Sequence, residues 1–294
     1  MKVRSLVVLL VAVVGFSCSP VKRLPDLESQ ADTAIKQSHY EQAYEYLQQY
    51  VAISKTTNVK PNESLYLKLA EVCNQLNKVD EASSYYENLI LNANNEGLIQ
   101  DYTTLLARNH EVKKELGVWS RYYTQIHDNS LLKQAYDRQL ILLTESQDYA
   151  AAEALWMDLP EGMEVSPEAY FSVVQSADQL GHSKNALKAC NWLLKLEPDH
   201  IGALEWKAKY LYESAEKSYN AEMAKYNKNK NATTYAYLRR DLKVISGDFR
   251  ESRDLFLKLR RIRPEEESYL KYLKNIYIRL DMKQEAAKID KLLN

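Results

Sequence analysis

Histidines, cysteines and paired carboxylates are the side chains that most often carry chemistry, and in this chain of 294 residues they are dispersed. His110-Glu111 opens in the manner of a zinc-protease helix, but no second histidine follows at the spacing such a site needs. The five histidines, His39, His110, His127, His182 and His200, stand singly, four of them at expected turns or helix ends where a solvated or capping role suits them. Phosphate-cradling glycine loops, nucleophile elbows and calcium loops are missing, and no carboxylate pair rises above ordinary helix-surface charge. No catalytic residue, metal site or cofactor is therefore expected, and the chain is read as non-enzymatic.

Cys73 and Cys190 each fall on the apolar face of an expected helix, three repeats apart. Packed helices lie about 8–10 Å from one another, so the two are expected to be far beyond the ~7 Å Cα separation that a disulfide bridges. Both read as small buried core residues. Four tryptophans, Trp119, Trp156, Trp192 and Trp206, and 22 tyrosines could suggest sugar stacking, but at helical spacing they read as packing residues.

Charge is balanced overall, at a formal net of −1, which argues against a nucleic-acid binder. Locally it is not. From Lys225 to Arg263 twelve basic residues, Arg239 and Arg240 among them, face only Asp241, Asp248, Glu251 and Asp254. Two readings stand: solvated helix faces, or a positive surface for an acidic partner, an anionic lipid or a glycan.

Glycine and proline number seven each, too few for a turn-rich β fold. Residues 1–17 read as a signal peptide, with Lys2 and Arg4, an apolar run from Leu6 to Val14, and Gly15-Phe16-Ser17 before Cys18. The small residue before a cysteine resembles the lipobox of bacterial lipoproteins, with Gly15 in place of the usual aliphatic residue. That resemblance implies lipid attachment at Cys18 and a membrane anchor through the N-terminus. Ser19 in place of Asp implies the outer membrane, and Val21-Lys22-Arg23 in place of an acidic run implies the periplasmic side. Residues 18–25 read as a tether.

From Asp26 the apolar spacing is helical to the end, so the fold class is all-α. Small residues that open every second helix recur at Ala43, Ala82, Ala152, Ala186, Ser252 and Ala286, in steps of 39, 70, 34, 66 and 34, with Gly117 midway through the step of 70. A bulky residue follows four positions on, as in Leu47, Tyr86, Trp156, Cys190 and Phe256, and an apolar one seven on. The small residue expected twelve before the anchor is present as Ala31 and Ala70, but Leu140, Val174, Arg240 and Lys274 stand there elsewhere. The step of 66 reads as one elongated hairpin over about 201–262, with 201–227 paired to 232–262, the turn at Asn227 to Thr233, and Gly247-Asp248 as the weak point of the returning helix. In the last unit Asp290 replaces the bulky residue, as suits a water-facing cap.

This pattern resembles the tetratricopeptide repeat, over residues 26–294. The resemblance implies a right-handed superhelical solenoid of about seven helix pairs, in which each pair buries its apolar face on the next. It also implies a concave groove, lined by the first helix of each pair, that holds extended peptides or helices of a partner protein. The positions that fall there are Glu71, Asn74 and Gln75, then Phe171, Gln175, Asp178 and Gln179, and in the last pair Lys271 and Asn275. The resulting expectation is a lipid-anchored scaffold of the bacterial envelope that binds a protein through groove and basic hairpin; the second reading is a glycan-capturing lipoprotein of a polysaccharide uptake system.

Overall fold

The computed structural model describes residues 20–92 and 95–293. The signal-peptide and Cys18 expectations lie outside these residues. Among the described residues there are fourteen α-helices and no strand. They divide into two compact units between Leu131 and Leu132.

The first unit holds α1 (Leu24–Lys36), α2 (Tyr40–Thr57), α3 (Glu63–Gln75), α4 (Val79–Asn92), α5 (Glu96–Arg108) and α6 (Val112–Tyr122). The expected tether is shorter than its sequence boundary: Pro20–Arg23 is a turn of 3-10 helix and α1 opens at Leu24. Pro25 does not delay it, because a proline in the first turn of a helix gives up an amide that has no partner there. Leu24 itself is buried with Leu27, Ala31 and Leu47.

The second unit holds all but the first three residues of α7 (Asn129–Glu145), and α8 (Tyr149–Met157), α9 (Pro167–Gln179), α10 (Ser183–Leu196), α11 (Ile201–Lys228), α12 (Ala232–Ile262), α13 (Glu267–Arg279) and α14 (Lys283–Leu293). The odd-numbered helices are the first of each pair and the even-numbered ones the second.

One turn geometry joins six of the seven pairs. Ser38, Asn77, His110, Gln147, Gly181 and Asp281 all have positive φ, between 55° and 71°. The amide after each donates back to a carbonyl in the last turn of the first helix: His39 to Ala34 and Lys78 to Cys73 at 2.9 Å, His182 to Ala177 and Met282 to Tyr277 at 2.8 Å. This satisfies carbonyls that a helix end leaves unpaired. Only Gly181 takes the left-handed conformation without steric cost; the other five tolerate it.

Five residues after each left-handed turn comes a buried position of the second helix. Ala43, Ala82, Ala152, Ala186 and Ala286 are buried there, and Ser252 is buried in the same slot of the elongated pair, as their spacing predicts. The expected place of Gly117 is corrected. Gly117 is exposed, and the residue in register is Glu115, 2% exposed, whose carboxylate accepts from the Trp119 indole at 3.2 Å. Trp119 and Tyr122 then supply the bulky residues four and seven on, and both are buried.

The step of 66 is one elongated pair. α11 and α12 are 28 and 31 residues long, against 13 and 14 in α9 and α10. At 1.5 Å per residue α12 runs for about 46 Å. Gly247 stands five before Ser252, where every other pair turns, yet α12 passes through it unbroken. The turn has moved to 229–231, where Asn231 and Thr234 close a reciprocal capping box. This also corrects the register of Arg240. The small residue that belongs opposite Ser252 is Ala208 of α11, fully buried, whose carbonyl accepts from the Ser252 hydroxyl at 2.7 Å.

The base of the hairpin is held by its neighbour. Tyr272 of α13 stacks on Phe256 at 4.6 Å and meets Tyr212 edge-on at 5.2 Å, while Arg279 grips Glu216 with two hydrogen bonds of 2.6 and 2.8 Å. From 216 to 244 the only buried residue is Leu238. In the last pair Lys274 and Asp290, the slots for a small and a bulky residue elsewhere, form an ion pair at 2.6 Å.

Candidate interaction groove

The first helices of the second unit leave an open groove of about 530 Å³. Phe171, Gln175, Asp178 and Gln179 line it from α9, Ile141, Thr144 and Glu145 from α7, Tyr149 from α8 and Trp206 from α11. All four positions that the repeat resemblance singled out in this helix are therefore brought together. Ser166 caps α9 by accepting from the Ala169 amide at 3.2 Å, with Pro167 in the first turn, which fixes where the helix starts.

The groove is shaped by one close approach. A Cβ on Gly202 would lie 2.5 Å from Cζ of Phe171, so glycine there lets the Phe171 ring sit against the first turn of α11, and any larger residue would make the ring shift. His200, which caps α11 through a 3.1 Å bond from the Ala203 amide, sets its ring 4.9 Å from that of Phe171, tilted by 50°. Trp206 is half-buried and stacked on Tyr210 at 5.2 Å. The floor is tied by Thr144, whose hydroxyl meets the Ser176 hydroxyl at 2.8 Å. Gln175, Asp178 and Gln179 are exposed above it.

In the first unit the corresponding face is differently finished. Glu71 and Gln75 are exposed on α3, but Asn74 is engaged: the Arg108 guanidinium donates to its carbonyl oxygen and to its side-chain oxygen, both at 2.9 Å. Lys68 joins Glu28 at 2.8 Å and Asp32 at 2.7 Å across α1 and α3. Burial alone would lower the Lys68 amine, but its bonds to Asp32 and Glu28 prevail and hold it above the usual lysine value.

The remaining singled-out positions are scattered. Lys271 and Asn275 are exposed on α13. Arg239 and Arg240 are exposed in the first third of α12, toward the turn of the hairpin, and are not part of the groove. Cys73 and Cys190 are buried free thiols, each pushed up to about 12 by burial, so neither is a nucleophile at neutral pH. Among the described residues no group of three or more metal-ligating side chains gathers.

Two features were not read from the sequence. Glu153 is buried on α8 and receives His182 Nδ1 at 2.6 Å and Asn185 at 2.7 Å, a polar latch between second helices. The α7 residues of the groove were legible in principle: Ile141, Thr144 and Glu145 stand eleven, eight and seven before Ala152, as Gln175, Asp178 and Gln179 stand before Ala186.

No protein-family model matches this chain, and neither does any curated protein. Solved structures similar to it include tetratricopeptide proteins. The C-terminal part of a repeat protein from Cytophaga hutchinsonii is 15% identical, covers 89% of this chain and 92% of its own, and has a TM-score of 0.46. A repeat protein from Parabacteroides merdae is 17% identical over 87% of this chain and 99% of its own, with a TM-score of 0.41. YrrB, described as having an unusual peptide-binding site, is 14% identical over 64% and 96%, with a TM-score of 0.45. At such scores these likenesses add nothing to the fold already described.

Proposed function

We propose that this chain is a non-enzymatic scaffold of the bacterial cell envelope, anchored by lipid at Cys18 to the periplasmic side of the outer membrane, that holds a partner protein in the groove of its second unit. The observation that carries the reading is the groove itself: Phe171 and Trp206 offer apolar surface while Gln175, Asp178 and Gln179 offer exposed hydrogen-bonding groups. An extended segment needs both, because its backbone amides and carbonyls lose water on binding and must be paired. Lipid attachment would confine the protein to a surface and raise its effective concentration near a membrane-bound partner.

A glycan reading has one observation in its favour, the open cavity of about 330 Å³ beside Trp156 and Trp192. There, however, Lys188 and Lys195 stand over the two indole rings at 5.2 and 4.0 Å, so one face of each ring already has a cation against it. The protein reading is therefore preferred.

Affinity capture from solubilised membranes tests it, with the intact chain compared with Gln175→Arg/Asp178→Arg and with Cys18→Ala. The reading expects one envelope complex to be captured by the intact chain and lost with the groove variant, whose helicity stays unchanged. It expects Cys18→Ala to leave the membrane fraction. Equal capture by the groove variant would remove the groove from the account, and unchanged membrane association of Cys18→Ala would remove the lipid.

A further inference from the structure

The distal part of the elongated hairpin carries a surface that the groove does not use. Between Lys217 and Val244 there are seven cations, Lys217, Lys225, Lys228, Lys230, Arg239, Arg240 and Lys243, against Glu222 and Asp241, a net of +5 in a chain whose formal net charge is −1. Both carboxylates are already engaged, Glu222 by Lys225 at 2.5 Å and Asp241 by Arg240 at 2.8 Å. Lys228, Lys230, Arg239 and Lys243 are exposed.

Apolar groups stand among these cations. Tyr235, Tyr237 and Val244 are 51%, 55% and 71% exposed. On α12, Tyr237, Arg240 and Val244 follow one another at spacings of three and four, and Arg239 and Lys243 at a spacing of four, so they form adjacent stripes. Leu238, Ile245 and Phe249 occupy the opposite side and are buried.

The chemistry of this surface fits a sheet of phosphates. Tyrosine places an apolar body and a polar tip at a water–lipid boundary. Long basic side chains beside it reach phosphate while their stems cover apolar surface. Lys228, Lys230, Arg239 and Lys243 lie on both helices and the turn and outside any cleft, so a flat anionic surface suits them better than one acidic helix would. The small cleft near Tyr226 and Tyr237 is already spanned by the Lys225–Glu222 and Arg240–Asp241 pairs. We infer that the distal hairpin docks on the anionic surface of a phospholipid bilayer, with Tyr237 and Val244 at headgroup level and Arg239 and Lys243 on phosphates. The contact is independent both of the groove and of lipid at Cys18.

Vesicle co-sedimentation tests it, using the full chain with Cys18→Ala so that the residues before the hairpin are the same in every arm. Vesicles of equal parts phosphatidylglycerol and phosphatidylcholine are compared with phosphatidylcholine alone. Binding to the anionic vesicles is expected to be at least about tenfold tighter and to fall steeply with salt. Arg239→Glu/Lys243→Glu is expected to weaken it about tenfold or more, and Arg239→Gln/Lys243→Gln by less, with circular dichroism unchanged. Tyr237→Ser/Val244→Ser is expected to weaken it about threefold and leave the salt dependence alone. Equal binding to both vesicle types, or charge-reversed protein that binds like the parent, overturns the proposal. So does binding to polyglutamate but not to vesicles, which would make the surface a site for an acidic polypeptide.

Discussion

The first-helix faces of the two units use the same slots and fill them to opposite effect. In the first unit charge is spent internally: Arg108 closes onto Asn74, and Lys68 onto Glu28 and Asp32. In the second unit the neighbouring helices approach through Phe171 and Gly202, which leaves Gln175, Asp178 and Gln179 exposed over an open groove. A face held together by its own ion pairs has little left to offer a partner. One held by apolar contact keeps its polar groups available.

The largest effect that could break this contrast is at the close approach. Gly202→Ala is expected to cost about 1–3 kcal/mol, since a Cβ there must displace a ring packed from α9. In a Phe171→Ala background the same change should cost at least about 1 kcal/mol less, a coupling read from a double-mutant cycle by urea unfolding. Additive costs would mean that the two residues do not set the groove. Next, Arg108→Ala should cost about 1 kcal/mol or less, because the guanidinium is exposed and its bonds to Asn74 exchange with water.

Lys68→Ala should cost less again, about 0.5 kcal/mol at low salt and nearly nothing at 1 M salt. Gly202→Ala should show no such salt dependence, which sharpens the distinction between the two faces. The sign with pH is fixed as well. The Lys68 amine is raised on folding, so its contribution is full below the ordinary lysine value of 10.5 and is lost as pH rises through the higher folded value.

The smallest effect is expected at Glu96. Its carboxylate accepts the His127 amide at 2.6 Å and the Asp128 amide at 3.2 Å, and the His127 amide first of all holds it below the usual glutamate value of 4.5. A depressed carboxyl stabilises above its unfolded value, and that stabilisation is lost as pH falls through the folded one. The difference in Tm between the parent and Glu96→Gln should therefore be greatest above pH 4.5 and shrink as the solution is made more acid. A constant difference would show that the ionised form is not what the loop uses.

Much of the fold was legible because its signals are local. Helical spacing marked the elements, the small residues before each bulky one gave the phase, and the missing turn between Ala203 and Tyr226 gave the long hairpin with its ends within a residue of α11 and α12. What was not legible depends on tertiary pairing. Glu115 fills a small-residue slot because Trp119 bonds its carboxylate, which no propensity announces. Ala208 pairs with Ser252 from 44 positions away, so counting twelve back from Ser252 landed on Arg240 instead. In the groove, α9 was readable by register, whereas Trp206 looked like one more member of a core stripe until α11 was placed against α9.

The most direct measurement of the central claim is site-specific photocrosslinking in intact cells, with a benzophenone amino acid placed at Gln175 or at Gln75. The two positions lie on the first-helix faces of the two units one turn apart in register, Gln75 seven before Ala82 and Gln175 eleven before Ala186, and both are exposed. The account predicts a discrete protein adduct from position 175 that disappears with Asp178→Arg, and none from position 75. Adducts of equal yield from both, or from position 75 alone, would contradict it.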